Sequence, residues 1–102
     1  MSNVTIVRRL WSANPSLFAA EGVMTPEQAF SRVLRRLRAE ANLTQEQLAF
    51  ESRLDRTYIS LLERGRRQPT LSSMVQLSAA LKVSPSTLMN YVEELLNEAG
   101  AD

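Results

Sequence analysis

Arg56, Arg64, Arg66 and Arg67 crowd the middle of a 102-residue chain, among the hydroxyl and amide side chains of Thr57, Tyr58, Ser60 and Gln68. A guanidinium is a planar fork of donors that suits bidentate contact with phosphate or with the edge of guanine. Such groups bind; they do not by themselves react. The chain has neither cysteine nor histidine, which removes thiol nucleophiles, disulfides, the usual zinc sites and the commonest general base together. The carboxylates show no clustered metal-ligand pattern, so no enzyme, no metal and no cofactor is expected. Eleven of the twelve basic residues are arginine, a bias that an arginine-rich genome would also produce.

Net charge is only +1, but it is unevenly spread. Residues 1–24 carry Arg8, Arg9 and Glu21, for a net of +1. Residues 25–82 carry ten basic and six acidic side chains, a net of +4, and residues 83–102 carry four acidic ones, a net of −4. A basic middle with an acidic tail is the asymmetry expected when one face meets phosphate and another stays clear of it. At this length one domain is expected. No segment has the apolar length of a signal peptide or membrane span, and a reducing cytoplasm is the expected setting.

The elements that must position these residues are helices. Thr25-Pro26-Glu27-Gln28 is a helix start, with Thr as N-cap and Pro at the first position. The helix runs to about Ala41, with Ala29, Phe30, Val33, Leu34 and Leu37 inward, and Asn42 closes it in the left-handed conformation. Arg32, Arg35 and Arg36 lie away from that stripe, as a solvated face or as a phosphate contact from one of them. Thr44 and Gln47 form the next capping box, leading into Leu48 and Ala49. Asp55 caps a second short helix with Ile59 and Leu62 inward, and Gly65 stops it. Two short helices joined by a tight turn, the second with basic residues in its first turn, are the layout of a DNA-reading helix-turn-helix. Thr70 caps a fourth helix, with Leu71, Met74, Val75, Leu77, Ala80 and Leu81 inward. Ser84-Pro85 opens a fifth, with a stripe of Leu88, Met89, Val92, Leu95 and Leu96. Residues 99–102 are read as a frayed tail. Residues 1–24 read as an extension, with Leu10, Trp11, Leu17 and Phe18 as an apolar cluster. It folds back as an arm on the domain of residues 25–98, or it offers a partner surface.

Residues 34–83 resemble the lambda-repressor/Cro-type helix-turn-helix family. The match is carried by Leu34, Leu37-Arg38, Leu43-Thr44-Gln45, Gln47-Leu48-Ala49, Ile59-Ser60, Leu62-Glu63-Arg64-Gly65, Pro69-Thr70-Leu71 and Leu77 through Ala80-Leu81. Asp55-Arg56-Thr57-Tyr58-Ile59-Ser60 followed by Glu63-Arg64-Gly65 is similar to the controller proteins of restriction-modification systems. The resemblance implies an all-α, five-helix, lambda-repressor-like bundle. It implies base contacts from Arg56, Thr57, Ser60 and Leu61, and phosphate contacts from Gln45, Tyr58, Arg64, Arg66 and Arg67. It further implies an ion pair of Arg38 with Glu63 that orients the reading helix. Where the family usually has glycine, between the two helices of the motif, this chain has Arg53. A left-handed residue there costs roughly 1 kcal/mol, so either the turn differs or the strain is tolerated.

The reading that follows is a sequence-specific transcriptional regulator, binding double-stranded DNA with inverted half-sites as a homodimer through helix 55–64. Leu88, Val92, Leu95 and Leu96 on the fifth helix are the expected dimer surface, since together they exceed what one small bundle needs. The alternative is an antitoxin or other interaction module on the same fold, with the N-terminal arm binding a protein partner.

Overall fold

The computed structural model describes residues 24–99. Five helices follow in order: α1 (Pro26–Glu40), α2 (Gln45–Ser52), α3 (Arg56–Glu63), α4 (Leu71–Ala80) and α5 (Pro85–Ala99). Of the arm expected for residues 1–24, all but Met24 lies outside the described residues, as does the end of the tail. Helix α1 packs on α3 and α5, α2 on α3 and α4, and α4 on α5. Leu34, Leu48, Ile59, Leu62, Leu77 and Leu88 are buried where these faces converge. Among the described residues no helix is long and apolar enough to cross a membrane.

The helix starts are set locally. Thr25 and Thr44 each accept from the backbone N–H three residues on, while Gln28 and Gln47 reach back to the cap backbone. Thr70 accepts from the Ser73 N–H, and Ser84 Oγ from that of Thr87. Asp55 occupies the cap of α3 but makes no side-chain cap hydrogen bond, which corrects the role expected of it.

The helix ends share one geometry. Asn42, Arg53, Gly65 and Lys82 all have φ near +60°. At each, the following residue's N–H donates to the carbonyl five positions back: Leu43 to Arg38, Leu54 to Ala49, Arg66 to Leu61 and Val83 to Ser78. These are Schellman closures. At three of them the residue after the left-handed one, Leu43, Leu54 or Val83, packs against the core. Arg53 (φ 61°, ψ 34°) therefore keeps the family's turn and carries its strain. Burial of Leu54 and the two amide bonds offset that strain, and a cation at a helix C-terminus faces the favourable end of the dipole.

Two expected faces are corrected. Leu71 and Val75 are 80% and 48% exposed, not buried. Leu71 is the first residue of α4, and the helix presents Ser73, Leu77, Ser78 and Ala80 inward instead. The buried serines satisfy themselves by donating back to the Thr70 and Val75 carbonyls. On α5, Leu88 and Val92 are 0% and 3% exposed within the chain's own core, so they are not available as a dimer surface. Leu95 and Leu96 are only partly buried.

Candidate nucleic-acid interface

Helix α3 has two unlike sides. Ile59 and Leu62 fix its inner side in the core, and Glu63 beside them is 4% exposed. Arg56 and Thr57, in the first turn, are exposed, and Ser60 and Leu61, one turn on, are partly exposed. Arg64, Arg66 and Arg67 follow, all exposed, around the left-handed Gly65. The arginines sit at the two ends of a short helix that turns polar and small residues outward between them.

The burial of Glu63 organises this surface. Arg38 donates from Nε to Glu63 Oε2 at 2.6 Å and from Nη2 to Oε1 at 2.9 Å. Its Nη1 donates to the Leu43 carbonyl at 2.9 Å. Gln45 Nε2 donates to the same Glu63 Oε1 at 2.9 Å. A buried carboxylate is tolerable only when paired and hydrogen-bonded, and three donors from α1 and α2 meet that need. Donation to the Glu63 carboxylate holds the Arg38 guanidinium above its ordinary pKa. The result is a bolt joining α1, the α1–α2 turn, α2 and α3. Gln45 is thus brought to the ion pair as well as to the exposed start of α2, a link that 18 residues of separation hid. One of its amide hydrogens serves Glu63, and among the described residues the other has no acceptor, which leaves it open to an outside one.

Tyr58 is similarly shared. Its hydroxyl lies 3.0 Å from Ser73 Oγ, accepts from the Thr70 N–H at 3.3 Å and donates to the Gln68 carbonyl at 3.4 Å. This fixes the loop between α3 and α4 to α3 itself. The Arg67 guanidinium sits 5.8 Å from the centre of the Tyr58 ring, near the outer limit of cation–π attraction. Arg64 Nε donates back to the Ser60 carbonyl at 3.4 Å. At the loop's other end Gln68 Nε2 donates to Glu27 Oε2 at 2.5 Å, and this bond is the main cause of the lowered pKa of Glu27. Gln76 Nε2 donates to the Ser52 carbonyl at 2.9 Å, tying α4 to the end of α2. No local sequence signal marks these cross-links.

Arg32, Arg35 and Arg36, the other arginines of α1, are exposed and stand apart from the bolt. Arg35 donates to the Ser31 carbonyl at 3.4 Å. Arg36 lies 3.9 Å from Glu40 and 5.2 Å from the centre of the Tyr91 ring. Exposed pairs of this kind contribute little to stability. Among the described residues no group of acidic side chains is arranged to hold a metal ion.

A helix-turn-helix family model matches residues 34–88. The chain belongs to this family. Its relatives include the control protein C.BamHI of Bacillus amyloliquefaciens, 43% identical over 63 residues, or 61% of this chain and 78% of that protein. Among solved structures, the controller protein C.AhdI of Aeromonas hydrophila is 43% identical. It covers 59% of this chain and 91% of that one, with a TM-score of 0.57. The controller protein C.Esp1396I, solved as a tetramer in complex with its natural 35 base-pair operator, is 34% identical. It covers 72% of this chain and 96% of that one, with a TM-score of 0.66. The likeness to controller proteins, seen in residues 55–65, thus extends over most of the described domain. The family consists of DNA-binding regulators, which are non-enzymatic in kind, and the antitoxin alternative is not favoured by these relatives.

Proposed function

We propose that the protein is a sequence-specific DNA-binding transcriptional regulator of the controller kind, acting in the cytoplasm as a homodimer on an inverted-repeat operator. The observation that supports it best is the exposed Arg56–Thr57 pair on a helix whose opposite side is bolted to α1 and α2. Base reading needs a side chain presented at a fixed angle, and the Arg38–Glu63–Gln45 cluster supplies that fixity. Arg56 grips guanine O6 and N7, worth roughly 1–3 kcal/mol of discrimination. Thr57 hydrogen-bonds a neighbouring base or sets its methyl against thymine, while Ser60 and Leu61 meet the next base edges. Phosphates are held by Gln45 through its spare amide hydrogen and by Arg64, Arg66 and Arg67. The single Tyr58 hydroxyl proton, which Ser73 Oγ at 3.0 Å and the Gln68 carbonyl at 3.4 Å compete for, is the one a further phosphate oxygen would take.

One such helix reads only a few base pairs, and two copies related by a two-fold axis, with half-sites about 34 Å apart, supply the missing information. With Leu88 and Val92 spent on the core, Leu95 and Leu96 remain as the proposed dimer contacts on α5. The C.Esp1396I assembly on its operator supports an oligomer on DNA. A gel-shift series tests the reading. Affinity for a selected operator should fall with salt on a log–log slope of several units. Arg56→Ala should relax preference at one base position, and Gln45→Ala should weaken all sequences alike. If Arg56→Ala kept full sequence preference, the base-reading role would be wrong.

A further inference from the structure

On the side of the domain formed by α1, α4 and α5 lies a groove of about 240 Å³ walled by Pro26, Phe30, Pro69, Met74, Met89 and Val92. Its lining is almost wholly apolar. Glu27 and Gln68, hydrogen-bonded to each other, complete the wall as its only polar side chains. Met89 stands 45% exposed at the edge. We infer that this groove is the docking site of the protein's own N-terminal segment, with Leu17 and Phe18 entering it and Trp11 lying over Met89.

Three observations lead there. The first is connection: Met24 packs against the core, and Pro26, two residues on, is part of the wall. Phe18 lies six residues before Met24, so at about 3.3–3.6 Å per residue the tether reaches roughly 20 Å. Pro26 and Phe30, on the wall nearest the tether, are one helical turn apart, a rise of about 6 Å, well within that reach. A tether this short holds its cargo at an effective concentration on the order of millimolar. The second is size: the volume equals about eight waters at ~30 Å³ each, below the ~300–1,000 Å³ usual for small-molecule sites. It takes one or two large side chains. The third is chemistry: Leu10, Trp11, Leu17 and Phe18 are a concentration of apolar residues, and they match a lining whose exposed surface is mostly apolar, with no basic side chain to hold an anion. Because Pro69 belongs to the wall, docking also braces the loop that carries Arg66 and Arg67.

The single tryptophan makes this measurable. In the full chain, Trp11 should emit to the blue of its position in the unfolded protein and resist acrylamide. Phe18→Ser and Met89→Glu should each shift emission to the red and raise the quenching constant several-fold. Met89 is exposed enough for the glutamate variant to fold, which cooperative urea unfolding would check. Since the chain has no cysteine, the double variant Phe18→Cys, Met89→Cys should close an intramolecular disulfide on oxidation, seen as a faster-migrating monomer without reductant. Trp11 quenched as readily in the folded as in the unfolded protein would overturn the inference. So would an emission indifferent to Met89→Glu, failure of the pair to cross-link, or a cross-link that joins two chains and makes the groove's occupant a second copy.

Discussion

Removing one partner of the Arg38–Glu63 pair should cost unequal amounts, and the inequality follows from their surroundings. The Arg38 side chain keeps 22% of its surface in solvent, whereas that of Glu63 keeps 3%. Arg38→Met preserves the packing stem but leaves a buried carboxylate with only the Gln45 amide. Stranding one member of a buried pair costs about 3–5 kcal/mol. Water entering through the opening that Arg38 occupied places this case near 3. Glu63→Gln leaves a cation that already donates to Leu43, can rehydrate, and still finds one amide oxygen, a loss of about 1.5 kcal/mol. With a urea m-value of ~1 kcal/mol/M for a domain this small, the midpoints should fall by about 3 M and about 1.5 M. The double variant Arg38→Met, Glu63→Gln should recover about 2 kcal/mol relative to the sum of the two single losses, because no charge is left stranded. Equal losses, the reverse order, or additivity in the cycle would refute the claim that burial of Glu63 is what the cluster serves. Among variants that stay folded, affinity for the operator should drop more than affinity for unrelated DNA, since the bolt orients α3 for base reading without itself touching a base.

Other consequences are smaller. Arg53→Gly removes a left-handed strain of about 1 kcal/mol, part of which returns as flexibility of the unfolded chain. Thermal melting should therefore rise by about 2–4 °C. Gly65→Ala tests the converse at φ +69°, where the nearest atoms to an added Cβ are an unstrained 3.8 Å away. Its loss of about 1 kcal/mol in urea unfolding should thus be conformational alone. Glu27 has a lowered folded-state pKa, so its contribution is complete above the ordinary carboxylate value. That contribution is lost as pH falls through the lowered one. Urea midpoints of the wild type should fall more steeply with acid than those of Glu27→Gln, and parallel curves would show the Gln68 bond to be without consequence.

What could be read in the sequence follows from how far apart the interacting groups are. The caps at Thr25, Thr44 and Thr70 are agreements between residues three positions apart, so spelling alone placed those starts. Asn42 and Gly65 were legible for the same reason. Leu71 and Val75 misled because a helical stripe gives a period but not its rotation about the axis. The rotation of α4 is set by α2 and α5, and by two serines that look polar yet satisfy themselves on their own turn. Leu88 and Val92 misled in the opposite sense. Counting apolar residues on α5 overlooks that α1 consumes one face of it. Gln45 was read from resemblance as a phosphate ligand, and its second bond, to Glu63, was invisible because it depends on how α2 crosses α3.

That second bond changes what the reading head is. An eight-residue helix with an exposed arginine at its start and three more just past its end has little intrinsic stability, and its angle to DNA is not its own property. Tyr58 fixes its loop, Glu63 fixes its last turn, and Gln45 joins that turn to the helix start beside which phosphate is proposed to bind. A phosphate taken up at Gln45 is therefore felt at Glu63 through one shared amide, within 2.9 Å. This is why the specificity of Arg56 should depend on residues that never approach a base.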